Sequence, residues 1–134
     1  MKIAIMQPYF LPYIGYFQLI NAVDQFVVYD NIKYTKKGWI NRNRILVNGK
    51  DEYITLPLKS GSDFLDVCER ELAASFEEDR KKLLRKVMQS YQKAPQFESG
   101  YELLTGIVNY SSNNLFQFLY HSISSVSDYL GIST

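Results

Sequence analysis

Ile3-Ala4-Ile5-Met6-Gln7-Pro8, continued by Tyr9-Phe10-Leu11-Pro12-Tyr13-Ile14-Gly15-Tyr16-Phe17-Gln18-Leu19-Ile20 and then by Gln25-Phe26-Val27-Val28-Tyr29, is the stretch that decides the fold. Four consecutive apolar residues ahead of a proline, which has no N–H for a ladder, predict a short buried strand over 3–6. Pro8 and Pro12 hold residues 9–13 extended. Ile14, Phe17 and Leu19-Ile20 fall at helical spacing and predict a helix over 14–22. The aromatic and β-branched run over 25–29 predicts a second buried strand. Two strands around a helix make a βαβ unit, expected to be parallel and right-handed. The chain therefore starts as a small Rossmann-like α/β fold.

Outward from this unit, residues 42–47 and 50–56 flank Asn48-Gly49, the pair that best tolerates the positive φ angles of a two-residue hairpin turn. That turn puts Ile45, Val47, Ile54 and Leu56 on one face and Arg42, Arg44, Leu46, Asp51 and Tyr53 on the other. Three helices are expected to follow. Ser75 and Glu78 have the spacing of a capping box, and Leu83, Leu84, Val87 and Tyr91 continue a helical stripe that Pro95 stops. Residues 96–110 carry a weaker stripe. Leu115, Phe118, Leu119, Ile123, Val126, Tyr129 and Leu130 form the last, with Gly131 suited to a C-cap.

The 134 residues suit a single domain, 46% hydrophobic and 22% charged, which excludes disordered and collagen-like chains. A net charge of +1 argues against a protein that coats nucleic acid through bulk charge. One cysteine, Cys68, and one histidine, His121, exclude an intrachain disulfide and Cys- or His-rich metal centres. No metal and no cofactor is expected. No stretch has the length of a secretory core or a membrane span, so a cytoplasmic protein is expected. The tail Gly131-Ile132-Ser133-Thr134 leaves a helix with an apolar residue that suits another strand. The expectation is one domain over 1–134, shortened at its C-terminal end, that buries the surface so exposed by forming a homo-oligomer, with the aromatic stripe of the last helix, Phe118 and Tyr129 included, at or near the contact.

Two regions suit chemistry. The loop from Gln7 to Tyr16 leaves the C-terminal end of a strand and enters a helix, the place where α/β proteins bind ligands and where a helix presents free N–H groups. Residues 31–50 hold six of the fifteen cations (Lys33, Lys36, Lys37, Arg42, Arg44 and Lys50) and none of the fourteen acids. Trp39, the single tryptophan, and Tyr34 lie among them. An aromatic face beside guanidinium groups binds a base or sugar ring while the cations hold phosphate, and a solvated basic loop is the alternative. Asp30, at the end of the second strand, is either a general base or a turn residue. Cys68 stands beside Glu69, and an acidic neighbour raises a thiol pKa and argues against a nucleophile.

The blocks M-Q-P-Y-F-L-P-Y-I-G-Y-F-Q-L-I at 6–20, D-Q-F-V-V-Y-D at 24–30 and K-K-G-W-I-N-R-N-R-I at 36–45 closely resemble the WbqC-like proteins, a family found with bacterial O-antigen and surface-polysaccharide genes. The resemblance implies a part in making or modifying activated sugars. A weaker likeness runs to nucleotidylyl transferases, but Gly15 is followed by Tyr16 where those enzymes have histidine. The combined expectation is a binder of a nucleotide sugar, or another phosphate-bearing small molecule, for group transfer. In it Gln7 and Tyr9 orient the ligand, Gly15 and Tyr16 open the helix beneath it, and Trp39 and Asn41 complete the pocket. Lys36, Lys37, Arg42 and Arg44 hold phosphate, and Asp30 acts as base. The rivals are nucleotidylyl transfer, a non-catalytic module for an anionic ligand or partner, and single-stranded RNA binding.

Overall fold

The computed structural model describes residues 1–134 as two small sheets and four helices. Strands β1 (Ile3–Met6) and β2 (Gln25–Val28) pair in parallel, Ile3 with Gln25 through Met6 with Val28, around helix α1 (Ile14–Ala22). Strands β3 (Arg42–Val47) and β4 (Lys50–Thr55) form an antiparallel hairpin with Asn48 at φ 51° and Gly49 at φ 79°, as the Asn-Gly turn requires. Arg44 stands opposite Tyr53 and Leu46 opposite Asp51, which confirms the two predicted faces. Helices α2 (Phe76–Tyr91), α3 (Phe97–Val108) and α4 (Leu115–Tyr129) follow.

The main core joins the hairpin to the helices. Phe10 from the first loop, Ile54 and Leu56 from the hairpin, Phe76 and Leu83 from α2, and Leu115, Phe118 and Leu119 from α4 are all buried in it. Between hairpin and α2 the chain runs irregularly, with one 3₁₀ turn at Val67–Glu69, and bonds to both sides: Ala73 N–H donates to Pro57 O, and Leu115 N–H to Arg70 O. Asn114 caps α4 by accepting from Gln117 N–H and donates its amide to Cys68 O. A second, smaller cluster of Tyr16, Phe17, Ile20 and Ile123 fills the space between α1, the first sheet and α4.

Three expectations need correction. The first two strands are not buried on both faces: Met6, Phe26 and Val28 turn inward beneath α1, while Ile3, Ile5 and Val27 face solvent. A run of apolar residues cannot report whether a second layer covers it. Ser75 is already in the helical region and makes no side-chain cap, because a turn at Ala73–Ser75 leads into α2 and takes the first N–H groups. Phe118 is completely buried, so it belongs to the core and not to an outer contact; Tyr129 is exposed and bonds to the Ser99 hydroxyl at 2.8 Å. No helix is long and apolar enough to cross a membrane.

Candidate functional site

The loop after β1 is tied to the segment that leads into β3. Phe10 N–H donates to Trp39 O (3.1 Å), and the Asn43 amide donates to Phe10 O (3.1 Å) and Leu11 O (2.6 Å), holding Leu11 at φ 47°. From the other side α2 delivers Tyr91, whose hydroxyl accepts Leu46 N–H at 2.9 Å on the free edge of β3. Between these supports lies a groove of about 620 Å³. Its aromatic walls are Tyr9, Tyr13, Trp39 and Tyr91, and its charged groups are Arg44 and Asp51.

The outer face of the hairpin continues the groove as a ladder of cations and rings. The Arg44 guanidinium lies 5.2 Å from the Trp39 ring, Trp39 lies 6.5 Å from Tyr53, and Arg42 lies 4.4 Å from Tyr53. Arg44 pairs with Asp51 at 3.3 Å with both side chains largely exposed. Such an exposed pair contributes about 0–1 kcal/mol, so a ligand anion can take the place of Asp51 at little cost.

Of the expected binding residues, the structure gathers Tyr9, Trp39 and Arg44 in this groove and puts the others elsewhere. Arg42 donates Nε to Gly38 O (3.1 Å) and Nη2 to Lys37 O (2.7 Å), bracing a turn in which Lys37 has φ 63° and from which Trp39 projects. Asn41 is buried, accepting from the Tyr34 hydroxyl (2.7 Å) and donating to Leu56 O (2.9 Å). Tyr16 is also buried and donates to Gln7 O at 2.8 Å; burial and the nearby Tyr9 push its phenol pKa upward. Gln7 accepts from the Tyr9 hydroxyl at 3.3 Å and steadies it. Lys36 pairs with Asp63 at 3.2 Å, outside the groove.

Asp30 does not line the groove. Its carbonyl accepts Cys68 N–H, and burial, with Asp30 and other carboxylates adding to it, raises the Cys68 thiol, as its acidic neighbour suggested. His121 lies half-buried, stacked on Tyr110 at 4.0 Å. Among the polar and aromatic groove residues, Tyr13 and Asn43 lie in the two stretches singled out in the sequence but were given no role, and Asp51 and Tyr91 lie outside both. Tyr91 looked like the end of a core stripe, and its polar tip at a helix terminus was the available signal.

Gly15 acts through Tyr13. A Cβ at this position would fall on the Tyr13 ring, so the absence of a side chain is what lets that ring lie over the start of α1 and form a groove wall. Tyr13 is exposed and free to swing away, and alanine is favoured over glycine within a helix by about 1 kcal/mol. Gly15→Ala should therefore leave the melting temperature unchanged or slightly higher by circular dichroism while weakening ligand binding. A melting temperature several degrees lower would show that the Tyr13 ring has nowhere else to go.

Together these features define a small α/β protein with an aromatic groove built where a β-strand loop meets a hairpin and a helix end. The chain belongs to the WbqC-like protein family, whose model matches residues 7–134. It is similar to a Mycobacterium tuberculosis (strain ATCC 25618 / H37Rv) protein described as "Uncharacterized protein Rv1507c", with 34% identity over 134 residues covering 99% of this chain. The chain spans 58% of that relative's length. No solved structure matches it.

Proposed function

We propose that this protein binds a nucleotide sugar in the aromatic groove, for group transfer during assembly of a bacterial surface polysaccharide. The observation that carries the reading is the convergence of Tyr9, Tyr13, Trp39 and Tyr91 around a single guanidinium, Arg44. Aromatic faces take the flat base or the apolar face of a sugar, and a guanidinium beside them takes a phosphoryl oxygen. The family's association with surface-polysaccharide genes supplies the biological setting.

A second reading, a recognition module without chemistry of its own, is favoured by the lining itself. It contains no histidine, cysteine or lysine, and its one carboxylate, Asp51, is held by Arg44.

Trp39 is the single tryptophan, so its emission reports on this groove alone. Titration with UDP-glucose, dTDP-glucose and GDP-mannose should quench or shift that emission saturably for at least one of them. Arg44→Ala should weaken that binding about tenfold, the scale of one charge-assisted hydrogen bond, and leave the melting temperature nearly unchanged. Arg42→Ala should instead lower the melting temperature, because it releases the turn beneath Trp39. No response to any sugar nucleotide would reject the reading. Turnover of a bound sugar nucleotide by the protein alone would reject the module reading in favour of an enzyme.

A further inference from the structure

The groove's lining contains only one cation, and a sugar nucleotide carries a negative charge on each of its two phosphoryl groups. Arg44, leaving its exposed pair with Asp51, meets one negative charge, while Arg42 is spent on backbone carbonyls and Lys36 is paired to Asp63. The basic segment that looked like a phosphate site in the sequence does not supply the missing charge inside the groove.

A second cavity, about 520 Å³, opens between the tip of the hairpin and α2. It lies round the free edge of β3 from the groove: Val47 and Glu52 are on the hairpin face opposite Leu46 and Asp51, and on α2 Ser90 precedes Tyr91. The lining is almost wholly polar. Lys82, Arg85 and Lys86, at i, i+3 and i+4, share one side of α2 and turn into this cleft. The other cations of the helix's first turns are neutralised locally, Arg80 by Glu77 at 3.1 Å and Lys81 by Glu78 at 3.6 Å. Lys86 is shared with Glu52 at 3.7 Å. Lys82 and Arg85 have no carboxylate within ion-pair range, which leaves two cations free on the cleft. From Tyr91 back to Arg85 is six residues, a rise of about 9 Å along the helix, comparable with the reach from a ring of a sugar nucleotide to its diphosphate.

We propose that the Lys82–Arg85–Lys86 cleft is the diphosphate subsite of the aromatic groove, so that the ligand passes round the β3 edge with a ring against Tyr91 and its phosphoryl oxygens on α2. This rests on the sugar-nucleotide reading of the groove. Lys82 and Arg85 donate to the diphosphate, and Asn48, at φ 51° in the turn, closes the end of the cleft.

The test compares wild type with the double variant Lys82→Gln/Arg85→Gln. Both positions are exposed, so the fold is expected to survive, and circular dichroism verifies it. UDP-glucose binding, followed by Trp39 emission and calorimetry, should weaken tenfold or more in the variant. Inorganic diphosphate should bind wild type in calorimetry and not the variant. Equal UDP-glucose affinity in the two proteins would overturn the subsite while leaving the groove reading intact. If wild type ignores UDP-glucose, dTDP-glucose and GDP-mannose yet binds inorganic diphosphate through these two residues, the groove reading fails and the cleft stands as an anion site. If it binds none of these, both fail. Tighter binding of a short single-stranded RNA than of UDP-glucose, lost in the same variant, would overturn the subsite in favour of nucleic-acid binding.

Discussion

Phe118→Ala should destabilise the fold by about 3–5 kcal/mol, the usual cost of emptying a fully buried phenylalanine site. The Phe118 ring centroid lies 5.6 Å from Phe76 in an edge-on arrangement, 6.5 Å from Phe10 and 6.4 Å from Tyr110, so one side chain connects α4 to α2, to the first loop and to the chain before α4. None of these neighbours can collapse into the space without giving up its own partners. A domain of this size has a total stability of about 5–15 kcal/mol, so the loss is about a fifth of it or more. Urea denaturation followed by far-ultraviolet circular dichroism measures it. A loss below about 1 kcal/mol, coupled with weaker self-association, would return Phe118 to the subunit contact expected from the sequence.

Asn41→Ala should have the next largest effect. The substitution leaves the Leu56 carbonyl and the Tyr34 hydroxyl without the partner that each has now, at about 1–3 kcal/mol for each group left unsatisfied away from water. One bond joins the chain entering the hairpin to the chain leaving it at Leu56, and the other ties in Tyr34 from the loop before Trp39, so the damage is to the frame on which the groove is built. The same urea titration should show a midpoint well below that of Arg44→Ala. Similar midpoints for the two variants would mean that Asn41 is only another surface amide.

The two asparagines on either side of Arg42 show what could be read in the sequence and what could not. Alternation over Asn41-Arg42-Asn43-Arg44 correctly separates the guanidinium face from the amide face, because side chains in a strand must alternate. It cannot say that the amides, the less conspicuous residues, are spent on fixing loops, or that Arg42 is braced against Lys37 and Gly38 while Arg44 alone reaches the groove. Those outcomes depend on where residues 9–11 and 56 lie, which is tertiary information. The hairpin was legible for the opposite reason, since the two positive φ angles of its turn are a demand that the residues in it meet locally. The βαβ start was legible in its order and direction but not in its burial. Tyr91, separated from Leu46 by 45 positions, marks the limit. No local pattern joins a helix end to a strand edge at that distance.

The outward rows of β1 and β2 bear on how such experiments are read. Ile3, Ile5 and Val27 present branched aliphatic carbon to water on a pleated surface with no helix over it. Environment-sensitive dyes such as anilinonaphthalene sulfonate brighten on contiguous apolar surface whether it belongs to a loosened core or to an intact native state. With this molecule the fluorescence of a dye-based thermal scan is expected to start from a raised native baseline, so early brightness would not by itself signal misfolding. The same three side chains are expected to favour retention of the folded form on hydrophobic-interaction media.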